Sequence, residues 1–476
     1  MIAKQIFQYF LSKAVPGIIN FSAIAIYTRI LSPHDYGVYS IALITSTFLA
    51  LVCFQWVQLS LLRFYAENIH QEDKFLRTIF YCFFISALPL IVAAPVIYVF
   101  LPSLKSWPVL ALVVALAVAQ AWFDLAAEIA RVKLEPLRYG AMAFTRSMLS
   151  LGVGVAMVMM GGVYYGPLTG LALGSCAAAL AFGMQSMRGK MNIHAGSRLD
   201  VASYLHYGLP LTLTFALAMV IAGTDRLMIG SLLSESDAGS YAAGFDFIWQ
   251  LITLAMVVIN LAVYPLTLNA YAKQGDAGAQ TQLARNGPLL LAVSLPLACA
   301  LGMLAPQWSE LVLGSSFRDV GRAIAPWIAA AAVLAGIRAY HFDLAFQIKA
   351  RTKYQVVIVG MTALLNIGLN FWWIPAFGVL GSAYATLIAY MFSFVLSFYL
   401  GRNILKIPIL NKESFQVLCA NALFLIVLFG ASKFSGYFFW VAVISSGVIY
   451  LLALIGMNFM DARTFLLKRM GYAKNI

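Results

Sequence analysis

The chain has 476 residues, 62% of them hydrophobic and only 10% charged, with a formal net charge of +13. Soluble globular chains carry roughly 25% charged residues, so there is too little polar surface here to hold a body of this size in water, and lipid must be the solvent for much of it. The five cysteines, Cys53, Cys82, Cys176, Cys299 and Cys419, all fall in apolar runs without CxxC spacing, which argues against a disulfide framework or a zinc site.

In lipid only helices and closed barrels satisfy their own backbone groups. A barrel would show short stretches of alternating polarity; this chain shows continuous apolar runs. It is therefore read as an all-α polytopic membrane protein of about fourteen transmembrane helices. In chain order the predicted spans are 6–31, 38–64, 77–100, 108–130, 140–162, 166–187, 205–232, 241–268, 287–305, 320–345, 354–374, 378–401, 414–431 and 436–459. The first is too long for a signal-peptide core and reads as a retained helix. The longest connection, 269–286, is too short for a folded extramembrane domain, so the work must be done among the helices.

Basic residues orient the chain. With the N-terminus cytoplasmic, 24 of the 31 Lys and Arg lie on the cytoplasmic side, and Arg29, Lys105, Arg226, Arg318, Arg322 and Lys433 on the other. Both termini are then cytoplasmic. The positive charge is spread over many short segments, which accounts for it without nucleic acid.

An internal repeat sets the organisation. Leu31-Ser32-Pro33-His34-Asp35-Tyr36-Gly37-Val38-Tyr39 follows the first span, and Leu233-Ser234-Glu235-Ser236-Asp237-Ala238-Gly239-Ser240-Tyr241 follows the seventh. The shared pattern is L-S-x-x-D-x-G-x-Y. A weaker echo pairs Tyr165-Gly166-Pro167-Leu168-Thr169-Gly170 with Phe377-Gly378-Val379-Leu380-Gly381-Ser382. Six spans separate the main copies, so both halves insert in the same direction. This predicts a parallel repeat with a pseudo-two-fold axis along the membrane normal: a six-helix lobe over 1–190, a second over 191–402, and two extra helices with a short tail over 403–476. Asp35 and Asp237 are expected to cap the helix that follows, and Gly37 and Gly239 to supply positive φ in the turn before it.

Ionisable residues inside the spans each need a reason, because at the bilayer centre they cost at least ~2.5 kcal/mol. Asp124 and Glu128, four apart, share a helix face that Arg131 extends; two such carboxylates either share a proton or belong to an interfacial ion-pair ladder. Asp225 precedes Arg226 and is expected to pair with it locally or across helices, and Asp246 to pair with either lobe. Arg338 and His341, three apart in the tenth span, are expected on one face, with Asp343 beside them. Asn366 and Asn370, one turn apart, are candidates for sugar hydroxyls or for helix–helix bonds. The chain has no Walker A, HExxH or GxSxG motif and no metal-spaced cluster, so neither enzyme chemistry, cofactor nor metal is expected.

Thr28-Arg29-Ile30-Leu31 running into the first repeat copy, and Asp225-Arg226-Leu227-Met228-Ile229-Gly230 running into the second, resemble the polysaccharide transporters of the MOP superfamily, the Wzx-type O-antigen and capsule flippases. Size, span pattern and cytoplasmic ends agree over essentially the whole chain. The resemblance implies an inner-membrane flippase, not an enzyme, that moves undecaprenyl-pyrophosphate-linked oligosaccharide from the cytoplasmic to the periplasmic leaflet, coupled to an ion, alongside other polysaccharide-assembly proteins. It implies that Arg29 and Arg226 hold the pyrophosphate, unless both only snorkel to the headgroups; Arg338, too deep to snorkel, is read from its position as a further such cation or as part of an internal salt bridge locking two helices, and Asp124, Glu128, Asp225, Asp246, His341 and Asp343 as coupling or cavity groups. The alternatives are a MATE-like cation or drug antiporter, which would want an acidic cavity, and a membrane-embedded glycan polymerase or ligase, which would want a large periplasmic loop.

Overall fold

The computed structural model describes residues 2–183, 198–407, 411–431 and 436–461. The end of the predicted sixth span, the 190/191 lobe boundary and the tail after Asp461 lie outside them. Every regular element among the described residues is helical. The helices are α1 (Ile2–Ile30), α2 (Pro33–Phe64), α3 (Glu72–Ser86), α4 (Pro89–Phe100), α5 (Trp107–Val132), α6 (Pro136–Met157), α7 (Tyr165–Ala178), α8 (Arg198–Leu232), α9 (Glu235–Met303), α10 (Ala305–Val312), α11 (Arg318–Ile337), α12 (Leu344–Ile348), α13 (Lys353–Phe377), α14 (Val379–Arg402), α15 (Lys412–Ala431) and α16 (Gly436–Gly456). Proline opens α2, α4, α5 and α6, where its missing N–H has no intrahelical partner to lose.

Among the described residues, twelve stretches are long and apolar enough to cross a membrane. One of them, α9, has 69 residues, about 100 Å of helix against a hydrocarbon core of ~30 Å. It is two passes, separated at Gly275 (φ +60°, ψ −144°). Gly278 then lies so close to Ala270 that a Cβ there would sit on its carbonyl oxygen, the mark of a tight helical hairpin. The expected loop over 269–286 is thus helical up to a single glycine. With α1 as the remaining pass, the total is fourteen, in a multi-pass membrane protein.

The chain divides into two compact units: Met1–Ala243 with Val312–Phe317 and Asn370–Val379, and Gly244–Leu311 with Arg318–Leu369 and Leu380–Ile476. In the first, α2 and α8 run antiparallel along one seam. The Ser60 hydroxyl donates to the Tyr204 carbonyl at 3.0 Å, Gly208 meets the Trp56 backbone, Gly223 meets Ile44, and Arg226 Nη1 donates to Ser40 Oγ at 2.9 Å. Beyond Arg226 the seam reaches the two repeat copies. In the second unit α15 and α16 dock on the later part of α9: Asn411 Nδ2 donates to the Ala284 carbonyl at 2.7 Å and the Tyr450 hydroxyl to that of Ala292 at 2.8 Å.

The repeat copies are built alike, though not as the sequence suggested. Ser32 and Ser234, rather than the aspartates, are the N-caps. Each Oγ accepts the backbone N–H three residues on, from Asp35 and Asp237, both at 3.1 Å. Each serine hydroxyl in turn donates to that aspartate's carboxylate. The aspartates sit at the third helical position, where the positive end of the helix dipole favours them. Nor do Gly37 and Gly239 take positive φ. They are glycine because the two copies cross there. A Cβ on Gly37 would fall on the Glu235 carbonyl oxygen, and one on Gly239 on that of Pro33, within 2.6 Å of the Gly37 nitrogen.

Overpacking a tight contact costs about 1–3 kcal/mol and losing an N-cap about 1 kcal/mol. Gly239→Leu is therefore expected to lower the thermal unfolding midpoint in detergent more than Ser234→Ala does. An equal or smaller shift would show that the crossing tolerates side chains.

Candidate functional site

A charge at membrane depth has only protein to bond to, so its contacts disclose its work. In the first unit, Asp225 and Arg226 are consecutive on α8, and consecutive helical residues point to different neighbours. Asp225 is 1% exposed. Its Oδ2 accepts the Tyr241 hydroxyl at 2.9 Å and its Oδ1 accepts Asn370 Nδ2 at 2.7 Å. Arg226 is 6% exposed and turns to α2, donating to Ser40. Tyr241 is the last residue of the second repeat motif, where it read as architecture; its bond to Asp225 is the link that sequence reasoning missed.

Arg29 differs from Arg226. It is exposed, in the last turn of α1, and Nη1 donates to the carbonyls of Ala25 at 2.6 Å and Val312 at 2.9 Å. Next to it, Gly314 N donates to Thr28 Oγ1 at 3.1 Å, and the Tyr36 ring meets Phe317 edge-on at 5.5 Å. Arg29 thus ties the segment 312–317 to the end of α1, at a helix C-terminus that favours a cation. Asp124 and Glu128 join a surface ladder on α5 and α6. Arg146 lies 3.6 Å from Asp124 and over the Phe123 ring at 4.4 Å, and Arg131 is 3.1 Å from Glu128.

In the second unit, Arg338–Phe342 form a π-helical turn between α11 and α12, a distortion frequent at functional sites. Asp343 N donates back to the Arg338 carbonyl at 2.9 Å. The wider turn undoes the expected shared face of Arg338 and His341. Arg338 faces α14, with Nη1 donating to Ser393 Oγ at 3.1 Å and Nε 3.6 Å from Asp343 Oδ2. His341, 2% exposed, lies against α9, where a Cβ on Gly287 would come within 3.1 Å of its ring. Beside it Asn286 Nδ2 donates to the Tyr340 carbonyl at 2.7 Å, meeting a backbone acceptor in the π turn. Asp343, 3% exposed, also accepts the Ser397 hydroxyl at 2.5 Å. Ser393 and Ser397, four apart in the apolar run of α14, were a legible signal that sequence analysis passed over. Asn366 is fully buried, its Nδ2 at 3.5 Å from Thr386 Oγ1, and Asp246, next to Phe245 in the chain, is half-buried. Among the described residues no group of three His, Cys, Asp or Glu is placed to hold a metal ion.

The chain belongs to the polysaccharide biosynthesis protein family, whose model matches residues 26–321. No curated protein matches it in sequence. Its fold is that of several solved transporters. It is similar to the lipid II flippase MurJ in an inward closed conformation (TM-score 0.76, 16% identity, 96% of this chain and 99% of that one). It is also similar to a multidrug resistance MATE family transporter of the MOP superfamily in an inward-facing conformation (TM-score 0.63, 15% identity, 83% and 97%). A MOP superfamily transporter from Pyrococcus furiosus is a further likeness (TM-score 0.56, 14% identity, 84% and 94%).

Removing one partner of a buried ion pair costs about 3–5 kcal/mol because the other charge is stranded. Asp343→Asn and Arg338→Gln are each expected to destabilise the protein strongly, and the double substitution by less than their sum. Thermal unfolding of the three variants checks this; additive losses would show that the two side chains do not act as a pair.

Proposed function

We propose that this member of the polysaccharide biosynthesis protein family is a flippase, not an enzyme. It moves undecaprenyl-pyrophosphate-linked oligosaccharide repeat units, such as those of O-antigen or lipopolysaccharide, from the cytoplasmic to the periplasmic leaflet of the bacterial inner membrane. Both termini are cytoplasmic. The lobes over 1–190 and 191–402 alternate in access, with 403–476 as an appendage of two helices and a tail.

The observation that carries this reading is Arg226. A guanidinium buried in a membrane-spanning helix, with one of its donors on the Ser40 hydroxyl, is a fixed cation of the kind that offsets a pyrophosphate in transit, and its fork-shaped donors match phosphate oxygens. Arg338 contributes a second cation and Arg29 a third at the helix end. Asp225, held by Tyr241 and Asn370, is the leading coupling group, with Asp343, His341, Asp124, Glu128 and Asp246 as further ones. Asn366 and Asn370, fully buried and turned to Thr386 and Asp225, are assigned to helix–helix bonds rather than to sugar hydroxyls. The MATE-like fold supports a second reading, a cation or drug antiporter. Arg226 weighs against it, because a cationic substrate would be repelled.

Lipid mass spectrometry of cells lacking the protein tests the reading. Lipid-linked oligosaccharide should accumulate and surface glycan fall, with both restored by the intact gene. No accumulation with unchanged glycan would overturn it. Bonds to a charged group are worth about 1.5–3 kcal/mol, so Arg226→Gln should cut transport about ten- to hundredfold at normal protein level, with Arg226→Lys in between. Full transport by Arg226→Gln would remove the arginine from the mechanism.

A further inference from the structure

The first unit contains an apolar slot of about 620 Å³ between α2, α4 and α8, which no step described above uses. Its walls are stripes along helix axes. Ile44 and Phe48 on α2, Val92 and Val96 on α4, and Gly223 and Leu227 on α8 are each pairs one turn apart. Along α4 the lining runs from Pro89 to Ile97, about 12 Å of helix, with Leu101 just past the helix end. The slot is thus elongated in the direction in which lipid tails extend. Val92 and Val96 are 70% and 49% exposed, so α4 offers the slot an open side. Gly223 forms its floor: a Cβ there would come within 2.5 Å of Ile44 Cγ1.

The two hydroxyls in the lining offer a ligand little. Thr45 Oγ1 donates to the Ile41 carbonyl at 2.7 Å and Thr224 Oγ1 to that of Val220 at 2.6 Å, both within their own helices. The slot is hydrocarbon in character, and at membrane depth water does not fill it. One turn beyond the floor, where Ser40 precedes Ile44 on α2 and Arg226 follows Gly223 on α8, the buried guanidinium closes the seam. A cation at one end of an apolar slot complements an amphiphile with an anionic head and a long hydrocarbon tail.

We infer that this slot seats part of the polyprenyl tail of the lipid-linked substrate while its phosphate head is drawn toward Arg226. The inference rests on the flippase reading and extends it from the head group to the tail. It assigns α4, a helix of 12 residues with no ionisable side chain other than a tyrosine, a direct part in substrate binding.

The test uses the full-length protein in nanodiscs of phosphatidylethanolamine and phosphatidylglycerol, with a polyprenyl phosphate carrying a diazirine in its tail as probe. Adducts should concentrate on Phe48, Val92 and Val96 and be displaced by unlabelled polyprenyl phosphate but not by added phosphatidylglycerol. Ala93→Trp and Val96→Trp fill the slot from its open side. Each should lower adduct yield about tenfold, the loss expected from displacing two buried methylenes. Adducts spread evenly over lipid-facing helices, or displaced equally by phosphatidylglycerol, would overturn the inference and leave the slot to ordinary acyl chains. If a tryptophan variant fails to fold, competition on the unsubstituted protein still separates these outcomes. Selective labelling without accumulation of lipid-linked saccharide in deletion cells would keep the tail site and remove the flippase reading; accumulation with unselective labelling would do the reverse.

Discussion

Hydrocarbon provides no hydrogen-bond partner, so a polar atom buried at membrane depth is stabilised only by a partner within the protein. The hydroxyls show how that is managed. Thr45, Thr212, Thr224, Thr267, Ser294 and Thr362 each donate to the carbonyl four residues earlier in their own helix. Such a side chain is satisfied without reference to any other helix. Ser40, Ser393 and Ser397 instead bond to Arg226, Arg338 and Asp343. These three serines reach across helices to side-chain charges, as Ser60 reaches across to the Tyr204 carbonyl.

Close approach of backbones follows from the same constraint. Without water to drive helices together, association in lipid depends on packing and on small residues that let it be tight. Gly208 and Gly223 on the α2–α8 seam, and Gly37 against Gly239 beyond it, leave no room for a Cβ. The seam that positions Arg226 against Ser40 is therefore set by glycines that carry no chemistry of their own. Replacing one would move the guanidinium without touching it.

Much of this was legible in sequence, because apolar runs of span length are a one-dimensional signal. The number of passes and the helical class followed from them, and the family from the resemblance of the stretches around Arg29 and Arg226. What was not legible depended on three-dimensional neighbours. Gly37 and Gly239 were correctly singled out as constrained, but only the crossing of the two copies shows why. Arg338 and His341 were assigned to one face on α-helical periodicity, and a π turn, which sequence periodicity does not reveal, separated them. Gly275 ends a helix that no proline or charge run ends, so 269–286 read as a loop. Tyr241 passed as a structural residue because its partner Asp225 lies sixteen positions earlier, beyond the reach of local pattern.

The repeat also separates what the two halves share from what they do not. Both copies keep the serine cap, the reciprocal aspartate and the crossing glycine, since these fix how one helix starts against another. The arginines that precede them are not equivalent. Arg29 stands three residues before Ser32, at the end of its helix, where backbone carbonyls take its donors. Arg226 stands eight residues before Ser234, about one and a half turns deeper, where a serine of the other half receives it. A duplicated scaffold that keeps its packing and shifts its charge inward on one side sets its two arginines in different surroundings. The Arg226 side joins a buried cation to an adjoining apolar slot, which is the combination that the proposed grip on both ends of a charged lipid requires.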